Sequence, residues 1–121
     1  MSKLDEIRRL QHRTKAFAVL IIQFFSELPK NETARTIGRQ LLRSGTSMAA
    51  NYRAACRARS SADFISKISV VLEEADETLF WLELLVEARV VEASVSKSLN
   101  AECNELLKIF SASLATAKAN R

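Results

Sequence analysis

Five arginines carry most of the chemistry this chain can offer. Arg35, Arg39, Arg43, Arg53 and Arg57 share one helical periodicity. At about 100° per residue they fall within an arc of roughly 80°, along a strip roughly 33 Å long. Arginine suits phosphate because its planar, permanently charged fork grips two oxygens at once. Such a strip can hold the backbone of RNA or DNA with little reading of the bases, and Arg59 extends it. The same arginines can instead pair with acids such as Glu73 and Glu77 across a subunit interface. The residue types leave both readings open. Added salt separates them, because backbone binding weakens steeply with it and an oligomer with an apolar centre mostly survives. Tyr52, which could stack on a base, is placed by its spacing on the core side.

Other chemistry is poorly supplied. His12 is the only histidine; it stands in a polar run with Arg9, Gln11 and Arg13 and reads as a surface residue. No His/Cys group has metal-ligand spacing, and the Glu-x-x-His pairs of di-iron bundles are absent. Glu73, Glu74 and Glu77 stand at helical spacing, yet without further ligands they read as a solvated or ion-paired face. Two glycines, Gly38 and Gly45, cannot make a phosphate-cradling loop. No serine stands in a nucleophile-elbow context. The expectation is no enzyme, with no catalytic residue, metal, cofactor or small-molecule substrate.

Helices must position the arginines. A chain of 121 residues is long enough for one core, and 48% apolar residues with two glycines and one proline favour helix throughout. Three breaks divide it: Pro29 to Asn31, with Asn31 as N-cap; Ser60 and Ser61, where Ser60 with Asp63 resembles a capping box; and residues 91–94, with Ser94 capping the last helix. The four segments are about 25 residues each, roughly 38 Å by helical rise. Matched helices joined by short loops pack as antiparallel neighbours. The prediction is an all-α, up-down-up-down four-helix bundle, a single domain over residues 1–121.

Each segment has an apolar stripe at three-four spacing. The first offers Phe17, Leu20, Ile21, Phe24 and Leu28; the second Ile37, Leu41, Met48 and Tyr52. The third offers Phe64, Ile65, Ile68, Leu72, Ala75, Leu79, Leu82 and Val86; the fourth Val95, Leu99, Cys103, Leu106, Phe110 and Leu114. Gly45, within a weak helical run of Ser44 to Ser47, could split the second helix. Continuity is preferred because the arginine strip and the apolar face keep phase across it. Small residues there would let another helix approach closely.

The third segment carries apolar residues on a second side: Val70, Phe80, Trp81 and Leu84. A helix apolar on two sides is buried on two sides, so these predict a homo-oligomer interface anchored by Trp81. Covering by the fourth helix or the N-terminal segment is the alternative.

Charge is lopsided. Residues 1–59 hold twelve Lys/Arg against four Asp/Glu, a net +8, and residues 60–121 hold six against ten, a net −4. This suits either a nucleic-acid footprint or halves that neutralise each other within or between subunits. Cys56 and Cys103 lie in helical apolar patterns and read as reduced. The run MSKLDEIRRLQ lacks the form of a signal peptide. The longest apolar stretch, 16–22, falls far short of the ~20 residues of a membrane span. The cytoplasm is the expected location, with no membrane partner.

The phrases QLLRSGTSMAANYRAA and, after a serine-containing break, DFISKISVVLEEADETLFWLELL resemble a small bacterial family of four-helix-bundle proteins. Its members are encoded in intervening sequences of large-subunit ribosomal RNA genes. The resemblance covers residues 15–115. It places Arg43, Ser47 and Asn51 in the family's signature helix, and Phe64 and Ile65 at the start of the next. It implies an antiparallel bundle assembling as a ring, typically a pentamer. It also implies association with nucleic acid, since a similar accessory protein of diversity-generating retroelements partners a reverse transcriptase and RNA. It carries over nothing catalytic. This chain departs from the retroelement members in its net charge of only +4 and its acidic second half. Ser47 and Asn51, one turn apart, are expected to satisfy polar groups near a helix contact.

Overall fold

Three of the four helices begin on a side-chain cap. A computed structural model describes residues 2–121. Helix α1 (Lys3–Ser26) starts where Asp5 N donates to Ser2 Oγ at 3.1 Å. Helix α2 (Glu32–Ala55) starts where Ala34 N donates to Asn31 Oδ1 at 2.9 Å. In helix α3 (Ser61–Glu87) Asp63 N donates to Ser60 Oγ at 3.1 Å. The Asp63 carboxylate reaches back to the Arg59 N–H at 3.2 Å, so the expected reciprocal cap forms, displaced by one residue.

Helix α4 (Ala93–Ala119) follows Glu92 and has no side-chain cap. Ser94, expected as its cap, lies inside the helix. The reason is the abrupt end of α3. Val90 N donates to Leu85 O at 2.9 Å and Arg89 N to Val86 O at 3.0 Å, with Arg89 at φ 60°. That doubly bonded left-handed turn reverses the chain early, and Val90 and Val91 fold onto the core.

Consecutive helices pack as antiparallel neighbours, α1 on α2, α2 on α3 and α3 on α4, and α1 meets α4 least. This is an all-α four-helix bundle. The α1–α4 side is braced by Arg13, whose Nε and Nη2 each donate to a Glu102 oxygen at 2.7 Å. The core draws Phe17 and Ile21 from α1, Leu41, Met48 and Tyr52 from α2, Ile68, Leu82 and Leu85 from α3, and Cys103, Leu106 and Phe110 from α4. Each large apolar side chain so buried contributes about 1.5–3 kcal/mol. The Tyr52 and Phe110 rings meet across it at 5.4 Å.

The buried stripes differ from expectation in three places. Leu20 is 48% exposed because α1 leans on α2 and barely on α4, which narrows its buried face. Val95 is 58% exposed, at the uncapped start of α4. On α3 the buried line runs through Val71, Thr78 and Leu85 as well as Ile68, Ala75 and Leu82, while Leu72, Leu79 and Val86 are half-buried. The stripe is thus turned by roughly 50° from the expected one, since α3 is wedged between α2 and α4.

Helix α2 is continuous through Gly45, as its phase requires. Hydroxyls fold back along the weak run: Thr46 Oγ1 donates to Leu42 O at 2.8 Å, and Ser44 Oγ to Leu41 O at 3.2 Å. Glycine is needed there for space. A Cβ on Gly45 would lie 3.1 Å from both γ-carbons of Ile21, so α1 sits directly on the α2 backbone.

Candidate nucleic-acid interface

Four of the five arginines of the strip lie on the exposed side of α2. Arg57, expected on the same helix, falls just past its end at Ala55, where the last turn tightens and Arg57 N donates to Ala54 O at 3.0 Å. Arg43, at the middle, turns toward α3 of its own chain. Its Nη1 reaches Glu74 Oε2 at 3.2 Å, its Nη2 donates to Glu77 Oε1, and its Nε reaches Gln40 at 3.4 Å. The Arg43 hydrogen bond holds the Glu77 carboxyl below the usual carboxylate range, and the Trp81 indole N–H, 3.1 Å away, adds to the effect. The same bond raises the Arg43 guanidinium above its ordinary value. Glu77, which one of the two readings has meeting arginine across a subunit boundary, meets it within the chain. The two segments share an interface, so basic and acidic halves neutralise partly in cis.

Arg35, Arg39, Arg53 and Arg57 make no ion pair among the described residues. Arg35 and Arg39 stand toward the start of α2. Arg53 and Arg57 stand near its end, where they join residues that sequence reasoning left aside. A cleft of about 480 Å³ opens between α1 and α2, with Arg8, His12 and Lys15 on one wall and Arg53 and Arg57 on the other. Ala49 and Ala50 also line it, and no carboxylate does. On the far side of Arg53 and Arg57 a second cleft, of about 670 Å³, adds Arg59, Asp63 and Lys67. Asp63 is engaged there: Lys67 Nζ donates to it at 2.5 Å, and this bond is the main reason its carboxyl lies below the usual range.

The sequence held a signal for the α1 wall. Residues 8, 12 and 15 fall within roughly 60° of one another on a helix. Nothing in it said that this face would meet the end of α2. Ser47 and Asn51 have a local role: Asn51 Nδ2 donates to Ser47 O at 2.8 Å, one turn back in the same helix.

The apolar residues on the second side of α3 divide as well. Phe80 is 51% and Val70 38% exposed. Leu84 and Trp81 are half-buried, and Trp81 packs against the core, meeting Phe80 edge-on at 5.0 Å. Trp81 is therefore partly covered by its own chain. A further apolar surface, not expected from the sequence, lies on α1, where Val19, Leu20 and Ile22 are exposed.

Both cysteines are free. Burial raises the Cys56 thiol and pushes that of Cys103 up to about 12, and Cys103 donates to Ala75 O at 3.3 Å. Among the described residues no group of three or more His, Cys, Asp or Glu could hold a metal ion. No described helix is long and apolar enough to cross a membrane.

A family model described as "23S rRNA-intervening sequence protein" matches residues 8–112. Among solved structures, the chain is similar to a protein of unknown function from the S23 ribosomal protein family of Bacteroides thetaiotaomicron VPI-5482, a crystal structure at 1.70 Å. The two are 36% identical, with a TM-score of 0.80 over 86% of this chain and 96% of that one. No curated protein matches the chain.

Proposed function

The chain belongs to the 23S rRNA-intervening sequence protein family, and from that premise we propose a non-catalytic, homo-oligomeric accessory protein that binds the backbone of RNA or DNA through arginines of α2. One observation carries the nucleic-acid part. Arg35, Arg39 and Arg53 on α2 and Arg57 just past its end stand exposed without an acidic partner, whereas Arg43 among them has two. Unpaired like charges along one face repel, and a phosphate backbone relieves that repulsion. Tyr52 is buried, so stacking on bases has no support from it and binding would be largely independent of sequence. Nothing in the geometry or the family points to catalysis.

Self-assembly is supported by Phe80 and Val70 on α3 and by Val19, Leu20 and Ile22 on α1, apolar side chains left open to solvent. A ring of five is the assembly implied by the resemblance of the two sequence phrases. The cytoplasm, where free thiols stay reduced, is the location that fits this role.

Light scattering after size exclusion, with and without a mixed RNA pool at low and high salt, tests both parts. An oligomer that picks up RNA only at low salt supports the proposal. A mass of one chain at micromolar concentration removes the assembly, and indifference to RNA at every salt removes the nucleic acid. Glu73, exposed on α3 without an ion-pair partner among the described residues, favours a second reading, a scaffold whose arginines join acids of neighbouring subunits. It predicts that Arg35→Glu with Arg39→Glu breaks the oligomer into folded monomers.

A further inference from the structure

Four basic side chains pair with acids among the described residues: Arg13 with Glu102, Arg43 with Glu74 and Glu77, Lys67 with Asp63, Lys108 with Glu105. None of the four lines the α1–α2 cleft. Arg8, Lys15, Arg53 and Arg57 surround it with no carboxylate among its lining residues, and His12 adds a ring N–H. Four fixed positive charges from two helices aimed at one volume of about 480 Å³ are mutually unfavourable while it holds only water. An anion reverses that balance. Ala49 and Ala50 leave open the space an anion needs, and Arg53 and Arg57, one turn apart, offer two planar forks to its oxygens.

We infer that the cleft between α1 and α2 is a seat for a phosphate group, formed by Arg8, His12 and Lys15 facing Arg53 and Arg57. Resting on the nucleic-acid reading above, a phosphodiester of a single strand is its occupant. A flexible single strand can bend from this surface cleft into the adjoining one, which a stiff duplex cannot follow. This moves the centre of binding from the length of the α2 strip to one end of it, and gives α1 half of the site. Arg59 and Lys67, in the adjoining cleft across Arg53 and Arg57, continue the path of the strand.

His12 is the sole histidine, so its ring signals in a proton NMR spectrum report on this cleft alone. The full chain is titrated with inorganic phosphate against chloride of matched ionic strength, and separately with a short single-stranded RNA. RNA affinity is measured by fluorescence anisotropy for the wild type, for Arg8→Gln with Lys15→Gln, and for Arg35→Gln with Arg39→Gln. These residues are all exposed, and circular dichroism checks that each variant folds.

The expected result is a saturable shift of the His12 signals with phosphate and with RNA but not with chloride. Arg8→Gln with Lys15→Gln should lose about tenfold or more in RNA affinity and lower the salt slope by about two. The Arg35 and Arg39 pair should lose far less. RNA that binds without moving His12, or that binds the Arg8 and Lys15 variant like wild type, overturns the seat and leaves the nucleic-acid reading standing. A phosphate shift with no RNA binding at any salt keeps the seat, assigns it to a small phosphate compound, and overturns the nucleic-acid reading.

Discussion

Arg43 and Glu77, 34 residues apart in the chain, are joined side chain to side chain, and the Glu77 oxygen that accepts from Arg43 also accepts the Trp81 indole N–H at 3.1 Å. This link ties the basic side of α2 to the acidic side of α3 in one subunit. It gives Arg43 two acidic partners that a phosphate would have to replace.

Glu77→Gln should cost less than about 1 kcal/mol at pH 7, since both partners are substantially exposed and solvent screens them. The folded-state carboxyl titrates below its unfolded value, so its contribution is complete above about pH 4.3 and is lost as pH falls through the lower folded value. Urea melts of wild type and variant should therefore differ at pH 7 and converge in acid. A gap that persists at low pH would assign the loss to something other than the charge of Glu77.

Gly45→Ala should destabilise, against the usual helix-interior gain of about 1 kcal/mol. The new Cβ meets Ile21 at 3.1 Å, and Ile21 is fully buried and stiff at its branch. Overpacking of this kind costs about 1–3 kcal/mol, so a net loss of about 1 kcal/mol is expected. Gly38→Ala should be closer to neutral, because its Cβ meets the ends of Leu28 and Phe25, which can turn aside. Urea midpoints in the reverse order would contradict this account of the α1–α2 contact.

Arg89→Gly should stabilise. Arg89 holds φ 60° at the end of α3, a left-handed conformation that costs a side-chain-bearing residue about 1–2 kcal/mol. Glycine gives part of this back through its freer unfolded state, leaving a gain of about 0.5–1 kcal/mol. A calorimetric Tm higher by a few degrees is the expected reading, and a lower Tm would show that the Arg89 side chain itself holds the turn.

Phe80→Glu should lower the mass of the assembly while the bundle stays folded, because Phe80 is half-exposed and its ring is available to another subunit. Trp81→Glu should instead weaken the fold, since Trp81 packs on the core and its indole N–H is taken by Glu77. Light scattering and thermal melts on the two variants distinguish these roles. If Phe80→Glu keeps the wild-type mass, the α1 surface at Val19, Leu20 and Ile22 becomes the contact to test.

The sequence by itself determined the helices, two of their four starting points and the continuity of α2. Those features depend on neighbours within a turn or two: Asn31 caps its own helix, Ser60 and Asp63 cap theirs, and the phase of residues 35–55 belongs to a single helix. The tertiary structure decided everything that depends on which faces meet. It turned the buried stripe of α3 because two helices flank it, exposed Leu20 because α1 has little contact with α4, and paired Arg43 with Glu74 and Glu77. It also set Arg8, His12 and Lys15 opposite Arg53 and Arg57. Periodicity states which residues share a side of one helix; which side of which neighbour they face follows only from packing. The candidate site is made by two helices together, and for that reason only half of it was visible in the chain.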